Sequence, residues 1–121
     1  DQRCVVVVKH RWINQNPFGS MFWAVQGMAA ELSTGALLMT KIKASNKSIS
    51  MLVINNKASF NKKAKGLITF SCNQGELVDD AIKKAIATRE GQRFVLTTSG
   101  VDQHGHAVSS FDFEWSVKLK S

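Results

Sequence analysis

One proline and eight glycines in 121 residues leave no room for a low-complexity linker, so the chain is not a set of modules on flexible tethers. Cysteine is scarce too. Cys4 and Cys72 lie too far apart in sequence for a Cys-x-x-Cys or zinc-ribbon pattern. Two thiols suit a reducing interior better than a secreted scaffold, which leads to the expectation of a cytoplasmic protein. Charged residues total only 21% against 44% hydrophobic, a balance that excludes disorder and a coiled-coil rod. No His, Cys and carboxylate set stands at ligand spacing, so no metal is expected; His104 and His106 flank Gly105 in a turn. What remains is a single domain over residues 1–121, of the commonest domain size and long enough to bury its own core. The first residues already read as a strand and the chain starts at Asp1, so a preceding N-terminal segment is expected.

Acidic residues are few as well: nine, against sixteen Lys and Arg, for a net charge of +7. Such a surface suits a polyanionic partner. The lysines are scattered, with one cluster at Lys57, Lys62, Lys63 and Lys65, and no aromatic stripe interleaves with them. A nucleic-acid surface is therefore not expected, whereas a phosphate-binding site at the cluster is.

Residues 3–10 hold four consecutive valines and read as a strand buried on both faces. After a turn-rich connection over 11–19, Ser20 to Lys43 form the most informative segment: 24 residues, almost all apolar or small, spanning roughly 36 Å as a helix. Ser20 suits the N-cap, and Lys41 and Lys43 suit the negative end of the helix dipole. A helix without a wide polar face is buried or lies in a membrane. Gln26, Glu31, Ser33 and Thr34 interrupt the run, and a carboxylate at mid-bilayer costs several kcal/mol, so no membrane span is expected. The remainder reads as strands at 49–60, 66–72, 93–101 and 107–119, with an amphipathic helix at 76–89 closed by Gly91. In the last strand Ser109, Phe111, Phe113, Trp115 and Val117 share one face. The order points to an α+β domain: about five antiparallel strands wrapped around a long central helix.

Glu31 is the one ionisable residue between Ser20 and Met39. Gly27 and Gly35 stand four residues to either side, with Met28 and Thr34 adjacent, so this face reads as a shallow groove with an acid at its middle. A glycine inside a helix costs about 1 kcal/mol relative to alanine, so the space has a use, either close helix packing or a substrate. A buried carboxylate there would have the raised pKa of a catalytic acid or base. The first amides of the helix, near Phe22 and Trp23, carry the positive end of the dipole and can hold an oxyanion. Asn16, just before, can position a carbonyl or a water.

Asn16-Pro17-Phe18-Gly19, followed twelve residues later by an acid inside an Ala- and Gly-rich helix, resembles the hot-dog thioesterase pattern. The final Phe-x-Trp-x-Val strand fits the same fold, so the resemblance covers nearly the whole chain. It implies a hot-dog fold, an acyl thioester substrate on CoA or acyl carrier protein, no cofactor beyond the CoA moiety, and a homodimer with sites at its interface, a tetramer remaining open. By position it matches Glu31 to the catalytic acid, Asn16 to the loop Asn and Trp23 to the oxyanion-hole amide, with a hydroxyl expected near Ser48 or Ser50. Phe22-Trp23 stands where the thioesterases carry His-Gly, and Asn-x-x-Gly-Ser-x-Phe is closer to hot-dog families of unknown function. The alternative is an acyl-binding module without catalysis. The dehydratase branch needs a His before the helix, and His10 lies too far upstream.

Overall fold

The computed structural model describes residues 2–11, 20–21 and 23–120. Five strands form one antiparallel sheet: β1 (Cys4–Lys9), β2 (Ile49–Phe60), β3 (Leu67–Cys72), β4 (Gln92–Val101) and β5 (Ala107–Leu119). Their spatial order is β1-β3-β4-β5-β2, so β1 and β2 are the edges. Helix α1 (Trp23–Ala44) follows β1, and α2 (Gly75–Thr88) is inserted between β3 and β4. A five-stranded antiparallel sheet curled against one long helix is the hot-dog arrangement, as the sequence led us to expect. Among the described residues no helix is long and apolar enough to cross a membrane.

The alternation of β5 sets the core. Ser109, Phe111, Phe113, Trp115 and Val117 are all buried, and β4 contributes Phe94 and Leu96 beside them. Gly100 belongs to the same face: a Cβ there would stand 2.6 Å from the Phe70 ring, so only glycine fits under it. In α2 Val78, Ala81, Ile82 and Ala85 are buried, the stripe its periodicity demands, along with Gly75 at its start. That helix ends at Arg89, which takes the left-handed conformation and returns its N–H to Ala85 O; Gly91 is not the stop.

Two expectations about burial are corrected. β1 is an edge strand, and only Cys4, Val6 and Val8 turn inward, while Val5 and Val7 are exposed on the outer side of the sheet. Helix α1 is not enclosed. It packs on β1, β3, β4, β5 and α2 through Ala29, Ala30, Leu37 and Leu38, whereas Trp23, Met28, Leu32 and Met39 stand in the open. Its lack of a polar face thus means two apolar faces, one covered by the sheet and one bare.

Candidate functional site

The inner face of α1 carries polar side chains that the sheet satisfies. Gln26 Oε1 accepts from Ser109 Oγ at 2.8 Å, and Gln26 Nε2 donates to Met21 O at 3.2 Å. Ser33 Oγ lies 2.8 Å from Thr98 Oγ1, which donates to Ser71 O. Thr34 Oγ1 donates to Glu31 O and accepts the Trp115 indole N–H at 3.1 Å. Thr34 is therefore a buried tie to β5 and does not line a groove. Gly27 and Gly35 are corrected likewise. A Cβ on Gly27 would lie 3.6 Å from Phe111, and one on Gly35 would lie 3.5 Å from the Trp115 ring, so both glycines face the sheet.

Glu31 stands between Gly27 and Gly35 in the same helical row, at the border of the covered face, and its side chain is exposed, not buried as expected. Around it Met28 and Leu32 are 70% and 56% exposed, and Met39 continues the stripe two turns on. Glu31 is the one ionisable side chain of α1 before Lys41. A groove of about 940 Å³ opens between α1 and the start of β2, lined by Leu32, Ala36, Met39, Ile42, Ile49 and Met51 together with Lys43 and Lys47; Glu31 is not among its lining residues and reaches it only through its neighbour Leu32. Ser48 lines this groove. Ser50 does not: it sits on the exposed side of β2, its Oγ 3.3 Å from Lys118 O.

The start of α1 is sewn to the connection between β2 and β3. Ser20 Oγ accepts the Ala64 N–H at 2.9 Å, and the Met21 N–H donates to Ala64 O at 3.0 Å. A cavity of about 430 Å³ sits there, bordered by Met21, Trp23, Gln26, Phe60, Lys62 and Lys63. The Trp23 side chain is exposed at its edge. Asn16 and Phe22 lie outside the described residues.

The lysine cluster does not stay together. Lys57 is opposite Asp112 on the outer side of the sheet, next to Glu114 in a small cavity away from the helix. Lys62 Nζ is 2.8 Å from His106 Nδ1 and 3.7 Å from Asp102 Oδ2. The backbone N–H groups of His106 and His104, with Lys62 nearby, hold the Asp102 carboxyl below its ordinary range against a small burial penalty. Lys63 and Lys65 are exposed on the same connection. Among the described residues no three His, Cys, Asp or Glu side chains converge as a metal site.

Sequence reasoning missed the buried polar ladder of Gln26, Ser33, Thr98 and Ser109. Its signal was available: polar residues on the core-facing side of an otherwise apolar helix and strand.

With this geometry in place, the fold defines a thioesterase-like hot-dog domain. The chain belongs to the family described as "Domain of unknown function (DUF4442)", whose model matches residues 1–117. No curated protein sequence is similar to it. Among solved structures it is similar to a Pseudomonas aeruginosa protein of unknown function, described as a probable thioesterase. That match has 20% identity and a TM-score of 0.86, over 98% of this chain and 78% of that one. It also resembles a protein of unknown function from Chlorobaculum tepidum, at 12% identity and TM-score 0.82, over 98% of this chain and 78% of that one. A thioesterase enzyme from Staphylococcus aureus matches at 13% identity and TM-score 0.74, over 98% of this chain and 87% of that one. Crystallised variants of that enzyme replace a glutamine and a glutamate fifteen positions apart.

Proposed function

We propose that the protein hydrolyses an acyl thioester of CoA or acyl carrier protein, with Glu31 as general base or nucleophile. The observation that carries this reading is the setting of Glu31: a lone carboxylate beside a bare apolar stripe, next in sequence to Leu32, which lines a groove of about 940 Å³. That volume is in the range of small-molecule sites, and its lining suits an acyl chain. Asn16 precedes Glu31 by fifteen residues, the spacing of the two positions varied in the Staphylococcus aureus enzyme.

In this mechanism the Glu31 carboxylate takes a proton from water while the water oxygen attacks the thioester carbonyl. Helix N-terminal amides, beginning at Trp23, hold the oxyanion, and collapse of the tetrahedral intermediate expels the thiolate. Trp23 and Glu31 are eight residues apart on one helix, about 12 Å along its axis, so one copy cannot place both at the same carbonyl. A two-fold axis perpendicular to α1 would run the two helices in opposite directions and bring the start of one toward the middle of the other. The dimer covers the stripe of Met28, Leu32 and Met39, and it also covers the edge of β2, which among the described residues pairs on one side only, with β5. Lys62 and Lys63 line the cavity by the helix start, and in this reading their charge meets the nucleotide phosphates.

The test is a hydrolysis screen against acyl-CoA esters of graded chain length and the matching acyl carrier protein esters. Thiol release with an optimum in chain length supports the proposal. Binding without release in every case replaces it with an acyl-binding module.

A further inference from the structure

Cys4 and Cys72, far apart in sequence, stand directly opposite each other in the β1–β3 ladder. Both side chains turn to the same side. Cys4, Val6 and Val8 are the inward residues of β1, and Ile68, Phe70 and Cys72 those of β3. Both thiols are free. The His10 N–H donates to Gly66 O at 2.7 Å, which marks that pair as hydrogen-bonded. Pair types alternate along an antiparallel ladder, so three steps of two residues make Cys4–Cys72 a pair of the same kind. Such pairs have Cα atoms about 5.5 Å apart, inside the range of about 4.4–6.8 Å that a disulfide spans. Their Cβ atoms, up to about 5.5 Å apart, must close to about 4 Å, which takes a local twist. β1 can supply that twist, because among the described residues it is bonded on one side only, and Cys4 is its first residue.

We propose that Cys4 and Cys72 are a thiol–disulfide exchange site, forming a reversible intramolecular disulfide that staples β1 to β3. The oxidant class is a low-molecular-weight disulfide such as glutathione disulfide. The Cys4 thiolate attacks it, its S–S bond breaks, one glutathione leaves, and a mixed disulfide forms on Cys4. The Cys72 thiol then loses its proton, and its sulfur attacks the Cys4 sulfur and expels the second glutathione. Two protein thiols are oxidised, one glutathione disulfide is reduced to two glutathiones, and the leaving thiolates take up the two protons. The order follows from access. Cys4 is half-buried at the sheet edge, while Cys72 is fully buried, and burial raises its thiol pKa, with a backbone hydrogen bond at Gln74 opposing and Cys4 adding to the rise. The staple locks a strand whose start already docks on α2, where the Gly75 N–H donates to Gln2 O at 3.0 Å. The twist it requires makes the bond easily reduced.

The experiment incubates the purified native protein with glutathione disulfide, alkylates the remaining thiols under denaturing conditions and maps the peptides by mass. We expect loss of both alkylatable thiols, a monomer mass lower by two hydrogens, a linked pair of peptides containing residues 4 and 72, and a thermal midpoint several degrees higher, all reversed by dithiothreitol. Cys72→Ala should stop the reaction at the mixed disulfide on Cys4, and Cys4→Ser should leave Cys72 unmodified. Wild-type protein that retains both thiols, ends at the mixed disulfide, or links only between copies overturns the proposal. These readouts come from the wild-type chain and do not depend on either variant folding.

Discussion

The Trp115 indole N–H donates to Thr34 Oγ1 across 3.1 Å, joining the last strand to the inner face of the long helix. Both groups are buried. Thr34→Val keeps the side-chain shape and leaves that N–H without an acceptor. The expected loss is about 1–3 kcal/mol in urea denaturation. An unchanged midpoint would show that the bond contributes nothing.

Gly27 and Gly35 give a prediction of the opposite sign. An alanine Cβ at either would meet its aromatic neighbour at ordinary contact distance, 3.6 Å from Phe111 or 3.5 Å from Trp115. Each Gly→Ala change should therefore stabilise the fold by about 0.5–1 kcal/mol through helix propensity. A loss larger than about 1 kcal/mol at either site would show that the helix cannot admit a methyl group against the sheet. Gly100→Ala is the contrast, because its Cβ would press into the Phe70 ring and should destabilise.

Asp79, on α2, ties that helix to α1 and to the residues before β1. Burial opposes its ionisation, but hydrogen bonds from Gln2 and Lys41, at 3.1 and 3.2 Å, outweigh that and hold its carboxyl below the ordinary range. A carboxyl lowered on folding stabilises above its unfolded value of about 3.9, and the gain is lost as pH falls through the folded value. Asp79 is partly exposed, so solvent screening keeps the expected cost of Asp79→Asn at pH 7 to no more than about 1 kcal/mol. Thermal unfolding of the two proteins should converge toward pH 2–3. An equal difference at pH 7 and pH 2.5 would assign the effect to packing.

Leu32 separates fold from assembly. It is exposed in the single copy, so Leu32→Arg should change monomer stability by no more than about 0.5 kcal/mol. In the proposed dimer it lies under the second copy, and a charge there should halve the mass seen by light scattering. A variant with the wild-type mass would remove the α1 stripe from the interface.

β5 and α2 were legible because their apolar periods are strict, and α1 because its run of apolar and small residues is too long for a strand. Ser109 to Val117 alternate without a break, and Val78 to Ala85 repeat at helical spacing. The orientation of α1 was not legible, since Met28 and Ala29 look alike to a periodicity argument when both faces are apolar. Only the sheet decides that Gln26, Ser33 and Thr34 turn inward, where Ser109, Thr98 and Trp115 meet them. That choice of face moves Gly27, Gly35 and Thr34 out of the candidate site and leaves Glu31 exposed at its border. The pairing of Cys4 with Cys72 was invisible for a related reason: which strand neighbours β1 is set by topology, not by local sequence.

The most direct test of the catalytic proposal is kcat/KM of Glu31→Gln against the wild type on its best acyl-CoA ester, with thermal unfolding measured on the same preparations. Gln keeps the size of the side chain and removes its capacity to take a proton or attack a carbonyl. Because Glu31 is exposed, the variant should unfold within a degree or two of the wild type. The account predicts a fall in kcat/KM of about two to four orders of magnitude, with ester binding retained. A folded Glu31→Gln protein that turns over at the wild-type rate would contradict it.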